Sequence, residues 1–314
     1  MNHKICWMAA AAAILFTTAC KKDDSGTTLP SLSGLYMGSV LPYVPAGTTL
    51  TCKAKVTDLT TSDQSTPGDI GLYWQVNSEK RDTTTRNVKT SNPDYTVTLS
   101  ETGSYTIYCY AYAANYYNAS ASAHVEVIDP ETAVTGVEGE PDLVLNGHPY
   151  RSLQAGGLTW IGDNLYGTDT GTVFLNCEVL APLFGRFYTW EEALTACPEG
   201  WRLPTAEEFD ACFGTVAGDL MVNASFLKTE MWPYRTEVAI TNSTRFNALP
   251  IGYQDLSSEN YADRGFGEYA FWWTASSDGE QAEYRYIFME NPVIQKGKGN
   301  KQSFALNVRC VKEN

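Results

Sequence analysis

The side chains with the greatest chemical potential in this sequence are its eight cysteines and three histidines. After the amino-terminal leader the histidines are His124 and His148, which are too far apart in sequence to form a ligand-spaced pair. A histidine-based zinc site and a Ser-His-Asp hydrolase are therefore not expected. The chain also lacks G-x-S-x-G, a phosphate-binding glycine loop and a dinucleotide fingerprint. We predict no enzymatic activity, no metal and no cofactor.

The stretch from Tyr188 to Thr205 carries the local signals around which the carboxyl-terminal half is organised. Thr189 stands three residues before Glu192, and Thr205 three before Glu208, so each pair can form a capping box that starts a short helix. A proline and a glycine between the helices favour a turn, and the W-R-L sequence that follows predicts a brief strand. The stretch is interpreted as helix, half-buried strand, helix, with a cysteine at the end of the first helix.

The amino terminus has the pattern of an export signal. Lys4 precedes an apolar run, Ile5 to Phe16, that is too short to span a bilayer comfortably. With its small residues before Cys20, the segment resembles a bacterial lipoprotein signal, which implies a signal peptide over 1–19 and a lipid anchor in the membrane at Cys20. The K-K-D-D that follows resembles the signal that sends Bacteroidetes lipoproteins to the cell surface. We therefore expect an outer-membrane protein facing the exterior, with 20–33 as a flexible tether. The alternatives are an ordinary cleaved signal and a plain solvated tether.

Residues 34–129 alternate apolar and polar side chains with a period of two, which predicts antiparallel strands with one buried face. The order Cys52, Trp74, Cys109 resembles immunoglobulin-like or PKD-like bacterial modules, which implies an all-β immunoglobulin-like sandwich. Cysteines that face each other in an exported sandwich are expected to pair, so we predict a Cys52–Cys109 disulfide. Strand propensity favours a structural role over an adhesive aromatic edge for five tyrosines of this domain, Tyr108, Tyr110, Tyr112, Tyr116 and Tyr117.

The acidic segment 130–141 is interpreted as a linker, and a second domain is expected over 142–314. Five stretches of this domain resemble, in order, the Fibrobacter succinogenes major paralogous (FISUMP) domain: L-N-G-H-P-Y with W-I-G-D-N-L, T-W-E-E-A, C-P-E-G-W-R-L-P-T, F-W-W-T-A-S and V-R-C-V-K. The arrangement of helix, cysteine, strand and helix also resembles the C-type lectin-like fold. Together the resemblances imply a multidomain protein in which the all-β sandwich is followed by an α+β C-type lectin-like domain.

The lectin-like resemblance also implies a disulfide. In that fold the cysteine of the first helix is bridged to one in the last strand, and Cys197 and Cys310 occupy those places. Cys177 and Cys212 are the mature cysteines that then remain besides the anchor, and they are predicted to form a third pair.

The segment from Gly214 to Tyr269 has poor periodicity, and long irregular segments in compact domains are usually functional or disordered. The corresponding segment of C-type lectin-like folds forms the loops of the binding face. Adjacent strand residues point to opposite faces, so we expect Trp273 in the core and its neighbour on the loop-covered side. The predicted ligand-binding residues are Trp272, Tyr253, Trp232 and Tyr234. The alternative is that all of these aromatic residues pack the core.

Charge and fold together indicate a class of function. The formal net charge of −14 argues against nucleic acid and anionic lipid headgroups as partners. We predict non-covalent binding or adhesion, with the second domain recognising a glycan or a surface protein. The alternative is a structural subunit of a surface assembly. The R-L-P-T-A-E-E-F stretch also resembles formylglycine-generating-enzyme-like domains, but these need two reactive cysteines near the carboxyl end and only Cys310 lies there.

Overall fold

The computed structural model describes residues 29–32, 34–56, 71–78, 81–90, 94–233, 238–257 and 262–314. The chain divides into two compact units after Asp129. The expected signal peptide, the anchor Cys20 and most of the tether lie outside the described residues. Every helix in the described ranges is too short or too polar to span a bilayer.

The first unit is built from strands in two sheets. In its described part the strands are β1 Leu35–Met37, β2 Tyr43–Pro45, β3 Thr48–Val56, β4 Gly71–Ser78, β5 Arg81–Thr90, β6 Asp94–Leu99, β7 Gly103–Tyr112 and β8 Ala119–Ile128. The smaller sheet has the order β1-β3-β6, and the larger has the order β2-β8-β7-β4-β5. The ladders are antiparallel except for that between β2 and β8.

Alternation along the strands decides which side chains of the first unit are buried. On β4, Leu72, Trp74 and Val76 are buried in a core shared by both sheets. The Trp74 ring stacks on Tyr95 of the smaller sheet, with ring centroids 5.3 Å apart. The period-two pattern therefore predicts the inward face of the larger sheet correctly.

Cys52 and Cys109 enter this core from opposite sheets. The structure holds both as thiols, so the predicted Cys52–Cys109 disulfide is not formed in it. Burial raises the pKa of Cys52 to about 11 and that of Cys109 to about 12. The thiolate is the form that attacks in disulfide exchange, and such high pKa values leave almost none of it at neutral pH.

The second unit combines short helices with many short strands. In its described part these are α1 Pro130–Ala133, β9 Val134–Thr135, β10 Leu143–Leu145, β11 His148–Tyr150, β12 Ser152–Ala155, β13 Leu158–Ile161, α2 Ala181–Phe184, α3 Trp190–Ala196, α4 Ala206–Phe213, β14 Ser225–Phe226, β15 Thr229–Glu230, β16 Tyr253–Asp255, β17 Ala262–Arg264, β18 Tyr269–Asp278, β19 Gln281–Phe288, β20 Gln295–Asn300, β21 Phe304–Ala305 and β22 Val311–Glu313. The longest strands form the sheet β18-β19-β20. Smaller sheets have the orders β12-β13-β22, β17-β16-β21, β15-β14-β9 and β10-β11. The described part of the chain is thus mostly β-sheet.

The two predicted capping boxes are both formed. Thr189 caps α3 and Thr205 caps α4, and in each box the glutamate side chain accepts from the backbone N–H of the threonine. Between the helices, where a brief strand was predicted, Arg202 forms an isolated β-bridge with Val311, and the two residues exchange backbone hydrogen bonds at 2.9 and 2.8 Å. This bridge lies next to Cys310 in the sequence.

The disulfide implied by the lectin-like resemblance, Cys197–Cys310, is present. Its Cα atoms lie 5.8 Å apart, and 113 residues separate the two cysteines in sequence. This disulfide joins the end of α3 to the residue that precedes β22.

The segment interpreted as a linker is held by the second unit. Its strand β9 pairs with β14, and the Glu138 backbone N–H donates to Asn247 Oδ1 at 3.1 Å while Asn247 Nδ2 donates back to the Glu138 carbonyl at 3.0 Å. A hairpin follows, as the Asn-Gly dipeptide predicts: Asn146 and Gly147, with φ of 49° and 78°, connect β10 to β11. The segment 130–141 is therefore an ordered part of the second unit.

Cys177 and Cys212 do not pair with each other in the structure. The Cys177 thiol donates to the Leu175 carbonyl at 3.4 Å, and the Cys212 thiol donates to the Ala155 carbonyl at 3.3 Å. Each sulfur thus contacts the backbone of a different segment, and the predicted third disulfide is not formed in the structure.

Candidate functional site

The structure buries two of the four residues predicted to bind a ligand, and both belong to one core cluster. Trp272 is 1% exposed and Trp232 is fully buried. Tyr234 lies outside the described residues, whereas Tyr253 is half-buried on β16. Trp272 and Trp232 are therefore core residues, and the prediction that they line a binding surface is wrong.

Both faces of β18 are covered at its two tryptophans, which explains why neither ring is exposed. Trp272 packs edge-on against Phe246, with ring centroids 5.0 Å apart, and its indole N–H donates to Asn164 Oδ1 at 3.1 Å. Trp273 turns to the other side, where its indole N–H donates to the Tyr188 carbonyl at 2.8 Å. The two tryptophans therefore point to opposite sides of the sheet, as expected, but each side is part of a buried core.

Trp232 shows how the irregular segment is stabilised. Its ring is fully buried, and its indole N–H donates to the Ala248 carbonyl at 3.2 Å. An aromatic side chain that fills a core and satisfies a backbone carbonyl fixes a loop without regular secondary structure.

Tyr253 belongs to a continuous set of half-buried aromatic rings. The register of β18 with β19 places Tyr269 opposite Phe288 and Phe271 opposite Tyr286, all on the side of the sheet from which Tyr284 also projects. We call this set the aromatic face and define it by Tyr253, Tyr269, Phe271, Tyr284, Tyr286, Phe288 and Phe304. All seven side chains are between fully buried and exposed.

The rings at the centre of the aromatic face are nearly parallel. The centroids of Tyr269 and Phe288 lie 4.8 Å apart with 21° between the ring planes, and those of Phe271 and Tyr286 lie 5.0 Å apart with 18°. Tyr269 also stacks on Phe271 at 5.6 Å. These distances are those of offset-stacked pairs, so four rings form a continuous plate.

Glycines in β20 allow the plate to extend over the sheet edge. The Tyr284 ring covers Gly297, where an added Cβ would lie 2.2 Å from the ring. A Cβ at Gly299 would meet the Phe304 ring at 3.1 Å. Any other residue at Gly297 would displace the Tyr284 ring, so this glycine is required by the close approach of ring and backbone.

Two tyrosines of the aromatic face, Tyr269 and Tyr284, act as neutral hydrogen-bonding groups. Burial, and then the negative charge of Glu268, raises the pKa of Tyr269 above its usual value. Burial also raises the pKa of Tyr284, with a further contribution from Tyr286. Both phenols therefore keep their protons at physiological pH and can donate as well as accept hydrogen bonds. The face thus offers apolar ring planes bordered by hydroxyl groups.

A polar groove of about 810 Å³ also opens on the second unit, lined in part by His148, Asp169 and Glu178. Arg186 lies in its wall, but its guanidinium donates to both Glu178 carboxylate oxygens, at 2.6 and 3.2 Å, and to the Tyr166 carbonyl at 3.0 Å. The Arg186 guanidinium is therefore already paired with groups of the protein. In the part of the chain that the structure describes, no group of three or more His, Cys, Asp or Glu is placed to hold a metal ion.

Sequence reasoning missed most of the aromatic face, although its signal is visible. Y-x-F at 269–271 and Y-x-Y-x-F at 284–288 are aromatic residues at the period-two spacing of one strand face. Their meaning depends on the register that aligns β18 with β19, which the sequence does not state.

Comparison with known proteins gives one match that carries weight. Residues 145–312 match the family described as the Fibrobacter succinogenes major domain. Among solved structures, the chain is similar to the adhesin InvE of Yersinia pseudotuberculosis, with 12% identity, a TM-score of 0.25, and coverage of 90% of this chain and 70% of that chain. A TM-score this low does not support a conclusion about fold or function. No curated protein sequence matches the chain.

Proposed function

The chain belongs to the Fibrobacter succinogenes major domain family, and from that premise and the aromatic face we propose that it is a cell-surface binding or adhesion protein. The proposal includes a lipid anchor at Cys20 in the outer membrane, with both units facing the exterior, because the leader resembles a lipoprotein signal. The ligand is a glycan, held without covalent chemistry on the aromatic face.

The plate of stacked rings is the observation that carries this function. The C–H groups of a sugar ring carry partial positive charge, and the π-face of an aromatic ring carries partial negative charge, so the two attract when they stack. Tyrosine hydroxyls at the border of the plate can hydrogen-bond to sugar hydroxyls and fix their orientation. Four adjoining rings form a surface suited to an extended saccharide.

Two finer statements about fold are part of the proposal. A C-type lectin-like second unit is supported by the disulfide from the end of α3 to the residue before β22. An immunoglobulin-like first unit is supported by Cys52, Trp74 and Cys109 in one core between two sheets. The same disulfide argues against a formylglycine-generating activity, because it occupies Cys310.

A glycan array combined with a pull-down from intact cells tests the function. The full chain is compared with Tyr286→Ser, which removes one ring of the plate, and with Val144→Ser, which changes a side chain that is 69% exposed and lies outside the aromatic face. We expect glycan binding by the full chain and by Val144→Ser, and a loss of about fivefold or more in affinity for Tyr286→Ser.

A different result supports the alternative function. If no glycan binds and the pull-down yields a stoichiometric surface protein whose capture is unaffected by Tyr286→Ser, the chain is a structural subunit of an assembly and the glycan-binding proposal is wrong.

A further inference from the structure

The first unit has an aromatic surface of its own, on the outward face of its larger sheet. Leu72, Trp74 and Cys109 point into the core, so their strand neighbours point outward. We define the tyrosine face by four of these outward residues on β4 and β7, namely Tyr73, Tyr108, Tyr110 and Tyr112. All four are half-buried.

The rings of the tyrosine face form a second plate. Tyr73 lies directly opposite Tyr110 across the β4–β7 ladder, and their ring centroids are 4.7 Å apart with 17° between the planes. Tyr108 stacks on Tyr110 at 5.8 Å and 21°. Tyr112 packs at a tilt against Tyr73, at 5.9 Å, with its ring over Gly71, where an added Cβ would lie 2.2 Å from Cζ.

The side chains next to this plate on β4 and β8 are neutral hydrogen-bonding groups, and on β5 the ladder places Arg86 opposite Gln75. Gln75 lies opposite Tyr108 on β4 and donates to Asn77 at 2.8 Å. Ser120 and Ser122 lie opposite Tyr110 and Tyr108 on β8. Among the described side chains of β4, β7 and β8 that point outward here, the imidazole and the carboxylate are those of the hydrogen-bonded His124 and Glu126, farther along β8.

Charge identifies the class of ligand that fits this surface. Residues 34–129 carry nine acidic and six basic side chains, an excess of acid that does not favour a polyanion, and a polycation needs carboxylate partners that the described side chains of β4, β7 and β8 at the centre of the tyrosine face do not offer. Strand propensity accounts for tyrosines singly, but it does not require three near-parallel rings with amide and hydroxyl side chains beside them. The surface complements an uncharged, hydroxyl-rich polymer.

We propose that the tyrosine face is a second binding surface, specific for neutral polysaccharide. The ligand class rests on the proposed function, but the surface is separate from the aromatic face of the second unit. Two surfaces on one chain allow one polymer, or neighbouring polymers, to be held at two points, which raises the avidity without a new contact at either surface. The first unit is thus a binding module in its own right.

Hydroxyl-radical footprinting of the full chain locates the contact. The probes are a panel of neutral polysaccharides, namely galactomannan, xyloglucan, mixed-linkage glucan, mannan and dextran, with anionic polygalacturonate for comparison. We expect a neutral polysaccharide to protect Tyr73, Tyr108 and Tyr110 from oxidation, and polygalacturonate to leave them unprotected. Tyr36, which is 51% exposed on β1 in the other sheet, is the internal control and stays unprotected.

The footprint separates this proposal from the proposed function. Protection confined to the aromatic face of the second unit overturns the tyrosine face and leaves the proposed function standing. Protection confined to Tyr73, Tyr108 and Tyr110 overturns the binding role of the aromatic face and supports the tyrosine face. Absence of protection at these three tyrosines with every member of the panel also overturns the proposal.

A variant pair gives the energetic test. In affinity electrophoresis with the protecting polysaccharide, the double variant Tyr73→Ser/Tyr108→Ser is expected to bind about tenfold more weakly than the unmodified chain. Tyr36→Ser is the matched control and is expected to bind like the unmodified chain. Equal retention of the double variant, at a melting temperature close to that of Tyr36→Ser, shows that the tyrosines make no contact and contradicts the proposal.

Discussion

Removal of the Cys197–Cys310 disulfide is the perturbation whose effect on stability follows most directly from the structure. The bond closes a loop of 113 residues, and the chain-entropy relation for a loop of this length gives a stabilisation of about 5 kcal/mol. The double variant Cys197→Ala/Cys310→Ala is therefore expected to have a free energy of unfolding lower by that amount. Because the unfolded chain retains some structure, this value is an upper estimate.

The predicted loss converts to a change in melting temperature. For a unit of the size of residues 130–314, each 1 kcal/mol shifts the melting temperature by about 2–4 °C, so the expected fall is about 10–20 °C. Differential scanning calorimetry of the full chain measures it on the transition of the second unit. Dithiothreitol is expected to lower the melting temperature of the unmodified chain by a similar amount and to leave the double variant unchanged.

Cys212→Ala is the matched control. Its thiol donates a weak hydrogen bond to the Ala155 carbonyl, so the expected change in the free energy of unfolding is about 1 kcal/mol or less. If the double variant melts within about 3 °C of the unmodified chain, the loop-closure reasoning is refuted.

Three further predictions concern other parts of the chain. Trp272→Ala and Trp273→Ala should each lower the free energy of unfolding by about 3–5 kcal/mol, because both rings are core, and denaturant unfolding that finds Trp272→Ala near the unmodified chain would contradict this. Hydrogen bonds from Arg285 lower the pKa of Asp210, so this carboxylate stabilises the fold above the usual aspartate pKa and loses its effect as pH falls through the lower folded value. Asp210→Asn should thus cost about 2 kcal/mol at pH 7, with a difference that shrinks in acid unfolding curves, and a difference independent of pH would show that the ion pair is not its source. Cys20→Ser should move the protein from the membrane fraction to the soluble fraction. Unchanged fractionation would show that Cys20 does not carry a lipid anchor.

The parts of the fold that were predicted from sequence are those set by local chemistry. Thr189 and Thr205 each need only a glutamate three residues later to form a capping box, and Asn146-Gly147 needs only its own backbone preference to form a hairpin. These interactions span a few residues, so the sequence contains all the information that they require.

Other features depend on distances that the sequence does not contain. Alternation correctly places Trp272 and Trp273 on opposite sides of β18, but it does not reveal that Phe246 covers one side and Tyr188 the other. In the same way, assigning Cys177 to Cys212 by elimination takes no account of whether the two thiols meet. The aromatic face was missed because it depends on the register of β18 with β19, which tertiary packing sets.

Isothermal titration of the full chain with its strongest array saccharide tests the proposal that the aromatic face binds the ligand. Tyr269→Ser/Tyr286→Ser removes two rings of the plate, each worth about 1 kcal/mol or more in binding, so we expect the affinity to fall by roughly 30-fold or more. Val144→Ser should bind like the unmodified chain. A double variant that keeps its melting temperature and binds within about twofold of the unmodified chain would contradict the claim, since that difference is under 0.5 kcal/mol or so.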